Sequence, residues 1–192
     1  MRWTASLTAV PVIVLSLFTM IGHAADQPGL TPKTVADYIH AVIEAHRVFY
    51  TIDIVERLQK QGGALAAENW RAQKNTLPLP VQFVTETSDM FSTNVTGVRY
   101  RLISQWPINP KNGPRGKLEE NELRVVRERP EQPATSTIEV GGQTYFHAIY
   151  ADVAVSPTCV GCHNTHPHSP KKDFVVGDVM GGLVIEFPLG KQ

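Results

Sequence analysis

Cysteine is scarce in this chain, which has only Cys159 and Cys162 among its 192 residues. Because the two lie three positions apart, no framework of disulfides can hold the fold together. An excess of either charge is also missing, since 18 lysines and arginines balance 18 aspartates and glutamates. Without a basic surplus, the chain lacks the long-range attraction that drives proteins onto phosphate backbones, and we expect no nucleic-acid partner.

A long apolar run occurs only at the beginning of the chain. Arg2 precedes a mostly apolar stretch from Ala5 to Ile21, and Gly22-His23-Ala24 then supplies the small residues that a signal peptidase reads. The alternative is an uncleaved membrane anchor, but a spanning helix needs about 20 mostly apolar residues and this run is shorter and contains Pro11. We therefore expect a signal peptide over residues 1–24 and a single periplasmic domain over residues 25–192, with no membrane span.

A long helix is predicted at the start of the mature chain. Thr31-Pro32 is typical of a helix start, and the helical pattern continues to Gly62-Gly63. One predicted face is the apolar face, which we expect to point inward. It consists of Val35, Ile39, Val42, Ile43, His46, Phe49 and Tyr50. His46 should therefore face the interior, and His40 should lie at the rim.

The remaining pattern mixes helices with antiparallel strands. We expect helices over residues 64–74 and 119–129, a strand over 98–103, a shaped proline-rich loop over 106–114 and a final strand over 179–187. Residues 137–140 and 143–151 flank Gly141-Gly142 and predict a hairpin. Helices first and antiparallel strands later indicate the α+β class.

The chemistry is concentrated in Cys159-Val160-Gly161-Cys162-His163, a C-x-x-C-H motif. This motif is the attachment signature of c-type haem, because two thiols three residues apart can each form a thioether with one vinyl group. The next residue, His163, can reach the iron from the same side. Export matters too, because this type of haem is attached outside the cytoplasm. The sequence therefore predicts one covalent haem c.

Two other interpretations of the cysteine pair remain open. An exported C-x-x-C can be a redox-active disulfide, but the flanking sequence lacks the βαβ context of thioredoxin-like proteins. Alternatively, the two thiols and two of His163, His166 and His168 could bind zinc. Zinc sites usually draw their ligands from two separated pairs, whereas this cluster is continuous.

The ligand opposite His163 decides what the iron can do. His46 is the favoured candidate because it is predicted to face inward, and His147 on the hairpin is the second. Met180 or Met90 would be a further option, as would an open or water-ligated position. Several basic side chains could pair with the haem propionates. They are Arg47, Arg101, Lys171 and Lys172.

The chain resembles the family of single-haem c-type domains with a PAS-like fold, which occur as periplasmic proteins and as sensor modules of signalling proteins. Three stretches carry the resemblance. They are residues 45–58, beginning Ala-His-Arg-Val-Phe-Tyr-Thr; residues 101–104 with 107–112, Pro-Ile-Asn-Pro-Lys-Asn; and residues 152–182, which contain the C-x-x-C-H motif.

The resemblance implies a long N-terminal helix packed on an antiparallel PAS-like sheet, with haem held near the end of the domain. It also implies a sixth iron ligand from the first helix, which need not be histidine. A cysteine ligand is excluded here because the motif uses both thiols. Of the residues in the matching stretches, Arg47, Tyr50 and Arg101 are expected to contact the haem, and His46 and His163 to bind its iron.

We expect a redox- or gas-responsive haem sensor that acts on a separate redox or signalling protein. A soluble electron carrier is the alternative, because it needs only a stable haem with an exposed edge. A haem enzyme is not expected, since no distal His-Arg spacing on one element stands out. The long first helix also offers a surface for a homodimer.

Overall fold

The computed structural model describes residues 29–190. The predicted signal peptide over residues 1–24 and its cleavage site lie outside this range. Within the described range, no helix combines the length and the apolar character needed to cross a membrane.

The first helix, α1, spans Pro32–Phe49. Thr31 caps it by accepting a hydrogen bond from the Thr34 backbone N–H at 3.1 Å, and Pro32 occupies the first turn. The chain then continues without a break through a π-helical segment, Tyr50–Glu56, and a short α2, Arg57–Lys60. The helix ends before Gly62, whose φ of 68° suits glycine. The predicted long helix is confirmed. The hydrophobic pattern did not predict that part of it is π-helical.

The following segment differs from the prediction. Instead of a helix over residues 64–74, two short parallel strands form, β1 (Leu65–Ala66) and β2 (Thr76–Leu77). An unpredicted helix, α3, spans Pro80–Asn94. Its N-terminus is held by the Gln82 side chain, which accepts from the Leu79 backbone N–H at 2.9 Å. Its second half is rich in Thr and Ser, which are weak helix formers, so the periodicity was obscured.

A four-stranded antiparallel sheet forms the centre of the domain. Its strands are β3 (Arg99–Ile103), β4 (Ala134–Val140), β5 (Gln143–Val153) and β6 (Val179–Pro188), in the order β3-β6-β5-β4. Helix α4, Gly116–Glu128, lies between β3 and β4 in the chain. The strands, the hairpin at Gly141-Gly142 and the predicted α+β class are confirmed. The finer PAS-like assignment stays a prediction.

Each face of the sheet packs against helices. On one face, α1 and α3 bury a core that includes Ile43, Val84 and Leu183. On the other face, α4 packs Leu123 and Val126 against Ile149, Val184 and Ile103. Burying an aliphatic side chain of this size stabilises the fold by roughly 2 kcal/mol. Because side chains along β5 and β6 point alternately to the two faces of the sheet, only every second one can contact the first helix.

The inward face of α1 agrees only in part with the predicted one. Val35, Ile39 and Ile43, which were predicted to face inward, pack in the core. Ala36, Ile43 and Arg47 are buried, whereas His46 is exposed. Val42 and Phe49, also predicted to face inward, are more than half exposed. The helix carries apolar residues on two faces, so periodicity alone could not identify the buried one. The prediction that His46 faces inward was therefore wrong. His40, predicted at the rim, is half-buried and stacks on Tyr150 with ring centroids 4.0 Å apart.

Candidate functional site

Helix α5, Pro157–Thr165, carries the whole C-x-x-C-H motif. It begins immediately after β5, where Pro157 at the first helical position favours the turn into a helix. At about 100° per residue, Cys159, Cys162 and His163 lie within roughly 100° of one another around the helix. Both cysteines are free thiols. One face of α5 thus presents two thiols and an imidazole together.

His163 is half-buried against Phe174, with the ring centroids 6.0 Å apart in an edge-on arrangement. Its Nδ1 atom is buried and has no hydrogen-bond partner within the described part of the chain. Burial lowers the pKa of His163, and the nearby His166 lowers it further. The ring is therefore a neutral imidazole near pH 7, the form that binds metals.

The two thiols have different surroundings. Cys159 packs against a small apolar cluster built on Ala154, Phe174 and Met180, and its Sγ lies 3.7 Å from Ser156 Oγ. Cys162 is exposed. This difference leaves one thiol at the protein interior and the other at the surface. A flat group attached to both would stand at the boundary between the apolar cluster and solvent. Together with the buried Nδ1 of His163, these residues fit a covalently held haem.

Arg47 connects the first helix to the motif. It is buried, with its Nη2 2.6 Å from Asp152 Oδ1 and its Nε 3.1 Å from Glu44 Oε2. Nη2 also donates to the Val153 carbonyl at 3.2 Å. Burial works against the charge, but Asp152 and Glu44 outweigh it and raise the pKa of Arg47, with a smaller contribution from nearby Cys159. The predicted site residue Arg47 therefore lies close to the motif, fully engaged by protein groups.

Tyr50, Lys171 and Lys172, which were predicted to contact the haem or its propionates, lie at different distances from the C-x-x-C-H motif. The Tyr50 hydroxyl donates to the Pro78 carbonyl at 2.7 Å, and its ring stacks on Phe83 at 4.3 Å. Tyr50 therefore ties the π-helical segment to α3. Lys171 reaches the motif's neighbourhood, because its Nζ lies 4.6 Å from the ring centroid of Phe174. Lys172 is exposed.

Arg101 lies on the face of the sheet that α4 covers, not on the face that packs α1. Its guanidinium forms an ion pair with Glu119 of α4. This placement follows from the alternation of β3, in which Tyr100 and Leu102 turn toward α1 and α3 while Arg101 turns away. The expected role of Arg101 at a haem propionate therefore has no support in this arrangement.

His147 lies in the same region, enclosed by carboxylates. Its Nδ1 donates to Glu186 Oε1 at 2.9 Å, and its Nε2 lies 3.0 Å from Glu122 Oε2. Burial alone would lower the pKa of His147, but the two carboxylates outweigh it and raise the pKa to about 9. Both ring nitrogens therefore face acidic groups at neutral pH. The structure gives no support to His147 as the second iron ligand.

The two methionine alternatives also differ in position. Met180 is buried in the apolar cluster with Ala154 and Phe174, where it fills space. Met90 is exposed on α3. His166 lies 3.8 Å from Glu68 and accepts from the His168 backbone N–H, so both flanking histidines are held beside the motif at the surface.

Sequence reasoning missed two members of this region. Asp152 neutralises Arg47 from the end of β5, and Glu56 is buried at the end of the π-helical segment. The Lys60 side chain lowers the pKa of Glu56, and Ser156 at the start of α5 contributes. Neither residue stood out, because an isolated acid in an amphipathic pattern is usually solvated. Only the fold shows that both acids face the motif's side.

No curated protein matches this chain. A solved structure and a protein family do. A solved structure, titled as that of the cyanobacterial heme-protein Tll0287, superposes with a TM-score of 0.56 at 17% sequence identity. The alignment covers 84% of this chain and 99% of that one, so the two share a fold. The Tll0287-like family matches residues 27–188. The chain therefore belongs to the Tll0287-like family.

Proposed function

We propose that this protein binds one haem c covalently through Cys159, Cys162 and His163. The observation that carries the proposal is their common placement on one face of α5, with His163 neutral and its Nδ1 without a hydrogen-bond partner among residues 29–190. A member of the same fold is titled a heme-protein, which supports the same cofactor. The competing zinc site gains nothing from the fold, since His166 and His168 interact with Glu68 and with each other.

The chain's own residues define how attachment proceeds. Each thiol would hold the haem through a thioether made by addition of its S–H across one vinyl C=C bond, with sulfur on one carbon and hydrogen on the other, so the addition would consume no oxidant. Cys159, which packs against the cluster of Phe174 and Met180, would hold the haem beside that cluster. His163 supplies the imidazole from the same helix. When bound, the haem supplies one-electron chemistry and an iron that can bind small ligands.

We infer further that the protein is a redox- or gas-responsive sensor in the periplasm rather than an enzyme. The part of the first helix that faces the motif's side offers Arg47, Thr51 and Glu56, none of which is a strong ligand for haem iron. His46 would reach that side only if α1 turned by about 100°, which would break the buried ion pair of Arg47. This arrangement favours an iron position that an external ligand can occupy.

A sensor needs an output, and we propose that a separate redox or signalling protein reads it. The first helix is suited to carry the signal, because Arg47 joins it to β5 immediately before α5. The PAS-like character of the sheet belongs to the same proposal. The alternative, an electron carrier, requires two protein ligands on the iron and little change of shape.

The test is to export the mature chain together with the cytochrome c assembly machinery and to record spectra of oxidised, reduced and CO-treated protein. We expect a c-type spectrum that shifts when CO is added to the reduced protein. A c-type spectrum that ignores CO would establish two protein ligands, contradict a gas sensor and leave electron transfer or redox sensing. Haem-free protein would overturn the proposal, and a Cys159→Ser, Cys162→Ser variant provides the matched negative control.

A further inference from the structure

No hydrogen bond sets the orientation of the His163 ring. A histidine that binds a metal normally donates from its other ring nitrogen to a carbonyl or a carboxylate, and this hydrogen bond fixes the plane of the ring. The buried Nδ1 of His163 has no such partner among residues 29–190. Packing against neighbouring side chains must therefore hold the ring in place.

Phe174 makes that packing contact. Its ring centroid lies 6.0 Å from that of His163, and the two ring planes stand at 87°. This is the edge-to-face geometry that aromatic rings prefer, so it favours one orientation of the imidazole. Phe174 is buried and also meets Trp106 edge-to-face, with centroids 5.6 Å apart. Any displacement of Phe174 would therefore move the surface against which His163 rests.

Asn164, the residue that follows His163 on α5, holds the backbone of Phe174. Its Nδ2 donates to the Phe174 carbonyl at 2.8 Å, and its Oδ1 accepts from the Phe174 N–H at 3.0 Å. One carboxamide thus satisfies the backbone donor and the backbone acceptor of a residue ten positions away. Backbone groups near the interior need such partners, so the two bonds fix Phe174 beside α5.

The loop between α5 and β6 is held near both of its ends by backbone hydrogen bonds. Near its beginning, the Ser169 N–H donates to the His166 carbonyl at 3.1 Å. Near its end, the Gly177 N–H donates to the Ala154 carbonyl at 2.9 Å. Between these two points, the side chain of Asn164 joins the middle of the loop to α5.

We propose that Asn164 is a positioning residue for the iron ligand. By binding the Phe174 backbone, Asn164 keeps the Phe174 ring against His163 and so holds the imidazole in one orientation. The inference rests on the proposed haem attachment, because a bound iron is what gives that orientation a function. Since Asn164 acts through Phe174, loss of either residue should have the same effect on the iron.

The test follows the electron paramagnetic resonance spectrum of the oxidised, haem-loaded mature chain, because its g values depend on the orientation of the axial imidazole. Wild type should give one set of g values, and Asn164→Ala should give several, since the ring is no longer held. Phe174→Leu keeps an apolar side chain without the ring and should cause the same change. The double variant should add nothing further.

Thr165→Val is the matched control. It removes a side-chain hydrogen bond from the next residue of α5, where the Thr165 hydroxyl donates to the Gly161 carbonyl at 2.8 Å. This bond lies on the exposed side of the helix, so Thr165→Val should keep the wild-type g values. A purely structural effect of losing a hydrogen bond on α5 would appear in the control as well.

A second measurement separates the inference from the haem. In the Cys159→Ser, Cys162→Ser chain, which cannot attach haem covalently, nuclear Overhauser contacts between the rings of Phe174 and His163 report their packing directly. These contacts should be present in that background and should disappear when Asn164→Ala is added. Circular dichroism checks that each variant keeps its helix content.

Asn164→Asp provides a milder change, because it keeps the acceptor for the Phe174 N–H and lacks the donor for the Phe174 carbonyl. It should weaken the nuclear Overhauser contacts and add a second set of g values. If Asn164→Ala loses helix content, the same two measurements on Asn164→Asp decide the question.

Two results would overturn the inference. One is a haem-loaded Asn164→Ala protein with the g values of wild type, and the other is a set of ring contacts that survives Asn164→Ala. A wild-type chain without added haem mass would contradict the proposed function instead. In that case, the ring contacts in the haem-free chain still show whether Asn164 positions His163.

Discussion

Arg47 and Asp152 form a buried ion pair, with Nη2 and Oδ1 2.6 Å apart, at the point where α1 meets the end of β5. Three residues separate the end of β5 from α5, which carries the C-x-x-C-H motif. A change at the motif can therefore reach the first helix through one charged contact. In a buried pair, the removal of one partner leaves the other charge uncompensated, so this contact is sensitive to single substitutions.

Asp152→Asn should destabilise the domain by about 3 kcal/mol, because the buried Arg47 loses its main counter-charge and keeps only Glu44. Urea unfolding followed by circular dichroism measures the loss. The matched control is Glu86→Gln, which removes one partner of an exposed pair with Arg71 and should cost less than about 1 kcal/mol. Equal effects of the two substitutions would show that the Arg47 pair is not buried in solution.

The charge state of His147 should make stability depend on pH. The folded pKa is raised to about 9 from the ordinary 6.5, so the folded state holds this proton more tightly than the unfolded chain. The stabilisation is complete below pH 6.5 and is lost as the pH rises through 9, on the order of 3 kcal/mol in all. Urea unfolding at pH 6 and pH 9.5 measures the difference.

His147→Gln should remove most of that pH dependence, since glutamine fills the space without titrating. His168→Gln, at an exposed histidine, should leave the wild-type slope unchanged. A wild-type protein equally stable at pH 6 and pH 9.5 would mean that Glu122 and Glu186 do not hold His147 protonated.

Gly181 in β6 should tolerate no side chain. A Cβ built at this position would lie 2.1 Å from the Ile103 carbonyl oxygen of the neighbouring strand. Gly181→Ala must therefore push β3 and β6 apart, and we expect a loss of more than about 3 kcal/mol in the free energy of unfolding. Gly190→Ala, which meets nothing within 4 Å, serves as the control and should be close to neutral. A stable Gly181→Ala variant would contradict the strand pairing described here.

The iron ligands can be separated by spectroscopy of the haem-loaded protein. His46→Ala should leave the absorption spectrum unchanged, because His46 is exposed on the outer side of α1. His163→Ala should lose the wild-type spectrum, because the imidazole next to the thiols is removed. If His46→Ala instead converted a six-coordinate spectrum to an open one, α1 would have to turn when haem binds.

The sequence predicted structure best where a few consecutive residue types are sufficient to specify a turn, a motif or a helix start. The glycine turn with alternating strands correctly predicted the hairpin of β4 and β5. The spacing of the C-x-x-C-H motif predicts covalent haem attachment, which stays a prediction. The helix start predicted at Thr31-Pro32 is confirmed. In each case, the signal lies within a few consecutive residues.

The failures share one physical cause, which is that partners distant in the chain decide orientation. Arg47 is buried because Asp152 neutralises it, and this pairing turns His46 outward. Arg101 turns to α4 because Glu119 meets it there. Periodicity could not choose between the two sides of α1, because both sides carry apolar residues at helical spacing.

The most direct test of the central claim is the intact mass of the mature chain after export with the cytochrome c assembly machinery. We predict that the mass exceeds that of the polypeptide by one haem and that this increase persists after denaturation in acidified acetone. The increase should be absent in the Cys159→Ser, Cys162→Ser variant. A wild-type chain with the mass of its amino acids alone would contradict covalent haem at α5.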